Sequence, residues 1–131
     1  ARGEDVMKLR LKGNSIRLRL DRKDLEGLIG LGRVEESLRF GPDAAFVYAV
    51  EVGEAPRGGP SASYRDGRLT VRLDRRDVAE WAGGDLVGFE RVQEAEGGAV
   101  RILIEKDFAC LDRRTGPEDD AHAFPNPSSS C

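Results

Sequence analysis

The stretches that decide the fold of this chain are SIRLRLDRKDLEGLIGLGRV, residues 15–34, and RLTVRLDRRDVAEWAGGDLV, residues 68–87. They align without a gap at an offset of 53 residues. The identical pairs are Arg19/Arg72, Leu20/Leu73, Asp21/Asp74, Arg22/Arg75, Asp24/Asp77, Gly30/Gly83 and Val34/Val87. The alignment indicates two copies of one structural unit; the alternative is chance similarity combined with shared helix-cap chemistry.

Each copy predicts a strand followed by a short helix. Residues 15–20 and 68–73 alternate between apolar and polar, a pattern typical of a β-strand with one apolar face. The strands end at Asp21 and Asp74, where a carboxylate can accept a hydrogen bond from a first-turn N–H and cap a helix. Apolar residues then recur at helical spacing, namely Leu25, Leu28 and Ile29 in the first copy and Val78, Trp81 and Ala82 in the second. Glycines then end each helix.

The remaining segments predict hairpins on both sides of each helix. Turn residues separate strands expected at residues 7–12 and 15–20, 33–40 and 45–52, 62–65 and 68–73, and 86–95 and 99–105. A stretch rich in Pro and Gly, residues 53–60, indicates a linker. We therefore expect a mostly β, α+β fold with two short helices, in which duplicated ββαββ units form a pseudo-twofold closed barrel or sandwich.

The predicted domain spans residues 7–111, and its halves are residues 7–52 and 61–105. Residues 112–131 form a polar tail that we expect to be extended or disordered. Because Met7 followed by a basic strand resembles a natural start, we interpret residues 1–6 as an upstream extension.

Composition and charge exclude several classes of protein. Hydrophobic residues make up 39% and charged residues 34% of the chain, which is too apolar for a disordered protein. The net charge of −3 means that binding to nucleic acid would need a local basic face. No apolar run has the length of a membrane span, and the first residues lack the apolar core of a signal peptide. Two cysteines make no disulfide framework, so we expect a cytoplasmic protein without membrane contact.

Cations accumulate on the first predicted hairpin. In the first strand Lys8, Arg10 and Lys12 alternate with apolar residues, and in the second strand Arg17 and Arg19 do so. If the apolar residues face the core, all five basic side chains lie on the outer surface. Such a face can neutralise several phosphates; the alternative is a solvated strand face whose cations discourage aggregation. Because no aromatic residue interleaves with the cations, we do not expect a platform for single-stranded nucleic acid.

Residues 7–41, MKLRLKGNSIRLRLDRKDLEGLIGLGRVEESLRFG, resemble the swapped-hairpin β-barrel of AbrB-type transition regulators and MazE-type antitoxins. In that family two identical chains complete one barrel, so the resemblance implies that the second copy supplies the other half here. The family holds DNA with basic and polar groups on and beside the first hairpin. By position, the residues implied are Arg10, Lys12, Asn14, Ser15 and Arg19. Asp21 stands where a Pro commonly closes the strand, and the second copy lacks the GNS turn.

A second resemblance covers almost the whole chain from Met7. The KGNSIRLRL stretch, EKDFACL at residues 105–111 and AFPNP at residues 123–127 are similar to the two ends of a family of uncharacterised bacterial proteins. This resemblance implies fold boundaries and no particular activity.

From the basic first hairpin and the resemblance to AbrB-type and MazE-type proteins, we expect a nucleic-acid-binding or antitoxin-like regulator with duplex DNA as its partner. The candidate binding residues are Lys8, Arg10, Lys12, Asn14, Ser15, Arg17 and Arg19.

The C-terminal region offers an alternative function, that of a protein-interaction or small-ligand module. Phe124, followed by two prolines, can pack back on the domain or insert into a protein partner, or the segment is a frayed terminus. Cys110 and His122 are the candidates for a thiol or metal site, although their spacing matches no metal motif. A Cys beside Phe108 and Leu111 is more often a small buried hydrophobe, so we expect no metal or other cofactor.

The sequence does not predict an enzyme. The only histidine, His122, lies in the polar tail, and the chain contains no nucleophile elbow and no phosphate-binding glycine loop. One residue conflicts with the predicted strand pattern. Glu36 shares strand parity with Val34, Leu38 and Phe40, so unless a bulge intervenes it would point into the core, where a carboxylate needs a partner.

Overall fold

The computed structural model describes residues 7–108 and residue 124. In chain order the elements are β1 (Lys8–Lys12), β2 (Ser15–Leu20), α1 (Arg22–Leu31), β3 (Arg33–Gly41), β4 (Ala44–Gly53), β5 (Ser61–Arg65), β6 (Arg68–Asp74), α2 (Arg75–Gly83), β7 (Gly88–Ala95) and β8 (Gly98–Lys106). The fold is mostly β with two helices, as predicted, and all four predicted hairpins form.

The strands form two four-stranded sheets, one in the order β1-β2-β8-β7 and the other in the order β3-β4-β6-β5. In each sheet two antiparallel hairpins meet at a central parallel pair, β2 with β8 and β4 with β6. Each sheet therefore combines one hairpin that precedes the linker with one that follows it. The prediction of a closed barrel is wrong, because no backbone ladder joins the two sheets within residues 7–108.

Both helices begin at the predicted aspartates. Asp21 accepts a hydrogen bond from the Asp24 N–H at 2.8 Å, and the Asp24 carboxylate accepts one from the Asp21 N–H at 3.0 Å, which makes a capping box. Asp74 accepts a hydrogen bond from the Arg76 N–H at 2.9 Å. The first helix ends at Gly32, whose φ of 80° is left-handed. Neither helix in this part of the chain is long and apolar enough to cross a membrane.

One cluster of buried apolar side chains draws residues from both sheets and both helices. Trp81 of α2 is fully buried; its Nε1 donates to the Val87 carbonyl at 2.9 Å, and its ring meets the Phe89 ring edge-on at 5.7 Å between centroids. On α1, Leu28 belongs to the same cluster and is also fully buried. Ile29, which the sequence places in the apolar stripe of α1, is 54% exposed, so the buried face of the helix includes Leu25 and Leu28 but not Ile29.

Strand β3 runs past the buried cluster. Glu36 lies opposite Tyr48 in the register and has the inward parity expected of it, yet it is only half-buried. Farther along the strand, Leu38 and Phe40 are 54% and 71% exposed. The expected burial of Glu36 is therefore wrong, because side chains of inward parity reach solvent where the β3–β4 hairpin extends beyond the core.

Candidate nucleic-acid interface

The cations of the first hairpin lie on one surface of the sheet β1-β2-β8-β7. In the register between β1 and β2, Lys8 lies opposite Arg19 and Arg10 lies opposite Arg17. The alternate residues of β2, such as Leu18, are buried, so the charged positions face outward. We define the basic face as Lys8, Arg10, Lys12, Arg17 and Arg19.

Two carboxylates beside the end of β8 partly neutralise the basic face. Glu105 Oε1 accepts hydrogen bonds from Arg17 Nε at 2.9 Å and from Arg19 Nε at 3.1 Å. Asp107 pairs with Lys8 Nζ at 2.9 Å. Arg10 makes no ion pair with any residue between positions 7 and 108. Within residues 7–108, Arg10 is therefore a cation of the basic face that no carboxylate neutralises.

A groove with a volume of about 450 Å³ opens beside this end of the basic face. The cations that line it are Arg10, Lys12, Arg17 and Arg101. Arg101 reaches the groove because β8 runs parallel to β2 and places it opposite Ser15; it also pairs with Glu90 of β7. Guanidinium groups hold phosphate oxygens through paired N–H donors, so the groove suits a phosphate.

Arg101 was not among the residues predicted from the sequence. Its own strand carries no cluster of cations, and it joins Arg17 only through the parallel pairing of β2 with β8. The residues near the turn also meet β8. Asn14 Nδ2 donates to the Ala99 carbonyl, and the Arg101 N–H donates to the Asn14 carbonyl at 3.1 Å. Ser15 Oγ donates to the Lys12 carbonyl at 2.6 Å, so Ser15 closes the turn while Asn14 fixes it against β8.

The β5–β6 hairpin repeats the register of the β1–β2 hairpin, shifted by 53 residues. Its opposed pairs are Ser61 with Arg72, Ser63 with Thr70, and Arg65 with Arg68. The residues that correspond to the basic face are Ser61, Ser63, Arg65, Thr70 and Arg72. Only two of these five are cations, so the second hairpin has the same geometry with much less positive charge.

Carboxylates hold the arginines of the second sheet in a network. Glu51 accepts hydrogen bonds from Arg72 and from Arg33, whose Nη1 lies 2.6 Å from Glu51 Oε1. Arg33 also donates to Glu35 at 2.8 Å. The hydrogen bond from Arg72 lowers the pKa of Glu51 below its ordinary 4.5, and the charge of Arg33 adds to this. The hydrogen bond from Arg33 lowers the pKa of Glu35 in the same way.

The remaining predicted site residues belong to the C-terminal region. Cys110 and His122 lie outside the described residues. Within residues 7–108 and 124, no group of three or more His, Cys, Asp or Glu side chains is placed to hold a metal ion. Phe124 is described and is 94% exposed, which contradicts the interpretation that it packs back on the domain.

Comparison with known proteins places the chain in a family. The model of a family of unknown function, DUF7009, matches residues 7–128. No curated protein matches the chain, and no solved structure does. The family match covers both aligned stretches, residues 15–34 and 68–87, and therefore both hairpins compared above. Since the match extends over most of its length, the chain belongs to the DUF7009 family of unknown function.

Proposed function

We propose that this protein is a non-enzymatic nucleic-acid-binding regulator whose basic face takes the phosphate backbone of duplex DNA. The observation that carries the proposal is the placement of five cations on one surface of the first hairpin, beside a groove lined by four cations. Lysine and arginine that neutralise phosphates release counterions, and this release drives binding that depends on salt.

Local charge supports this function although the chain as a whole has a net charge of −3. Screening limits the reach of exposed charges to about 8 Å at physiological ionic strength, so distant acids have little effect on the basic face. Glu105 and Asp107 pair with Arg17, Arg19 and Lys8 of the basic face. Arg10 forms no ion pair within residues 7–108, so its positive charge is available where a phosphate would approach.

The side chains around the basic face favour a duplex over a single strand. Single strands are held by aromatic rings on which successive bases stack. The neighbouring outward positions of β8 are Arg101, Leu103 and Glu105, which add no aromatic ring. Contacts to the phosphates of a duplex need only cations and hydrogen-bond donors at the spacing of the backbone.

The equivalent pairing of the two halves supports an internal duplication and a relation to swapped-hairpin regulators. We infer that the halves are related by a pseudo-twofold axis, because β2 pairs with β8 as β6 pairs with β4, in equivalent registers. The ion pair between Arg19 and Glu105 corresponds to that between Arg72 and Glu51. Each half would thus supply one hairpin to each sheet, as two chains do in AbrB-type and MazE-type proteins.

Fluorescence anisotropy with a labelled DNA duplex, measured across a salt series, tests the proposal. Arg10→Ser combined with Arg17→Thr removes two opposed cations from the basic face. We expect affinity to fall at least about tenfold, and the slope of log K against log salt to decrease by about 2. The matched control is Arg65→Ser combined with Arg68→Ser, which removes two opposed cations from the second hairpin and should leave binding unchanged.

A second pair of variants raises the charge of the basic face. Glu105→Gln removes the carboxylate that neutralises Arg17 and Arg19, so we expect binding to tighten by about threefold. Glu51→Gln is the matched change in the other sheet and should have no effect on DNA binding.

Two results would contradict the proposal. One is the absence of duplex binding even at low salt, and the other is an equal loss of affinity in both double variants.

A protein-interaction module is the second candidate function, and the exposure of Phe124 favours it. An aromatic side chain that is 94% exposed is available to insert into a partner. This function predicts that truncation after Leu111 abolishes capture of a protein partner while DNA binding is absent from the full chain. If the truncated chain keeps full partner binding, the C-terminal segment is not the binding element.

A further inference from the structure

Within residues 7–108, the strand β3 lies at the edge of its sheet and is the longest of the four edge strands. It has 9 residues, against 5 in β1, 5 in β5 and 8 in β7. An edge strand presents N–H and C=O groups to any chain that can pair with it. By contrast, the β5 edge is partly occupied, because the Gln93 side chain forms hydrogen bonds with both the N–H and the C=O of Ala62 at 2.8 Å.

We infer that β3 is a self-association surface, on which β3 of a second copy of this chain adds antiparallel to form a twofold dimer with a continuous eight-stranded sheet. The first argument is charge complementarity. When Ser37 pairs with its own copy on the twofold axis, Glu35 lies opposite Arg39 of the other chain, and the symmetry makes this contact twice. Glu35 and Arg39 have the same strand parity, so both lie on one face.

Both members of this cross-chain pair are accessible. Arg39 is exposed and makes no ion pair with any residue between positions 7 and 108. The Glu35 side chain is 41% exposed, and its contacts to Arg33 and Arg68 within that range all use Oε1. The charges also select the register. A shift of the axis to Glu36 would place Arg33 against Arg39, which opposes like charges.

The second argument is the position of an exposed apolar side chain along the edge. Phe40, near the end of the strand, is 71% exposed. Antiparallel pairing brings the start of one β3 against the end of the other. In the register centred on Ser37, Phe40 lies beside Val34 of the other chain, so the symmetry that pairs the charges also removes part of Phe40 from water.

A charge-swap experiment on the full chain tests this surface. Arg39→Glu places Glu35 opposite a glutamate, and Glu35→Arg places an arginine opposite Arg39, so each variant alone should dimerise about tenfold more weakly than the natural chain. An equimolar mixture of the two variants restores both opposite-charge contacts. By sedimentation velocity we expect dimer from the natural chain and from the mixture, and monomer from each variant alone at the same concentration.

Cross-linking tests the register independently. In a background of Cys110→Ser and Cys131→Ser, we expect Ser37→Cys to form a disulfide dimer under mild oxidation, because the two Cβ atoms on the axis come within disulfide range. Ser63→Cys, exposed on the edge strand β5, is the matched control and should cross-link far more slowly.

Three outcomes would overturn the inference. One is a natural chain that stays monomeric at all concentrations, which would leave this edge to a different partner. Another is a dimer that persists in Arg39→Glu. The third is cross-linking of Ser37→Cys no faster than that of Ser63→Cys.

Discussion

The β1–β2 and β5–β6 hairpins have the same register and carry different charges. Each opposed pair in the first hairpin has its counterpart 53 residues later in the second. Where the first hairpin has Lys8, Arg10 and Arg17, the second has Ser61, Ser63 and Thr70. Polar side chains of either kind satisfy an outward strand position, so folding does not require the cations. The extra charge of the first hairpin is the feature on which the proposed DNA binding rests.

Features that hold the sheets together recur in both halves. The carboxylate of Glu105 meets Arg19 across the parallel pair β2–β8, and Glu51 meets Arg72 across β4–β6. The inward residues Leu18 and Val71 on these strands are fully buried. The two halves therefore share these contacts and differ in the charge of their outer faces.

The two helix starts also differ. In α1 the buried Asp24 closes a capping box with Asp21. In α2 the corresponding Asp77 is also buried, but it accepts hydrogen bonds from Arg57 Nε and from the Gly58 N–H, both at 2.7 Å. Asp77 thus fixes the linker to α2. The corresponding Asp24 in α1 instead accepts a hydrogen bond from the Asp21 N–H at the end of the preceding strand.

The largest expected effect comes from a position where one half has room for a side chain and the other does not. Gly88 lies opposite Glu105 in the register, as Arg33 lies opposite Glu51. A Cβ on Gly88 would lie 2.1 Å from the Ile104 carbonyl oxygen, which is backbone and cannot rotate away. We expect Gly88→Ala to lower the free energy of unfolding by at least about 3 kcal/mol, measured by urea denaturation.

Gly30→Ala is the control for this substitution. Gly30 lies in α1, and a Cβ added there would meet no neighbouring atom within 4 Å, so alanine should stabilise the protein by up to about 1 kcal/mol. Equal stability of the two variants would show that β7 and β8 can separate without cost at Gly88.

The next effect tests the two helix starts against each other. Asp77→Ala leaves the Arg57 guanidinium and the Gly58 N–H without this acceptor, so we expect a loss of about 2–3 kcal/mol in the free energy of unfolding. Asp24→Ala removes a capping bond and should cost about 1 kcal/mol. Urea unfolding followed by the fluorescence of Trp81 measures both, and equal losses would show that the linker contact adds no stability.

The smallest expected effect concerns the pH dependence of the free energy of unfolding. Because its hydrogen bond from Arg72 lowers the pKa of Glu51 in the folded state, this carboxylate stabilises the protein above its ordinary pKa of 4.5. That contribution is lost as pH falls through the lowered pKa. Glu51→Gln should therefore be less stable than the natural chain at pH 7, by less than about 1 kcal/mol, and the difference should shrink below about pH 4. A difference that stays constant with pH would contradict this assignment.

Local features of the fold were predictable from the sequence because short-range chemistry sets them. Alternation gave the strands around Arg17 and Thr70, and the caps at Asp21 and Asp74 gave the helix starts. The groove was predictable only in part. The five cations of the basic face follow from strand parity, whereas Arg101 joins them through a parallel pairing between strands that are distant in the chain.

By itself, the sequence determined the order of strands and helices, their boundaries to within one or two residues, and the accumulation of charge on one hairpin. These properties depend on neighbours along the chain. Only the tertiary structure decided that two separate sheets form within residues 7–108 instead of a closed barrel, that Glu36 and Phe40 lie beyond the core, and that β3 lies at the edge of its sheet in this part of the chain. Pairing between distant strands and the extent of the core depend on how all elements pack together, which no local pattern encodes.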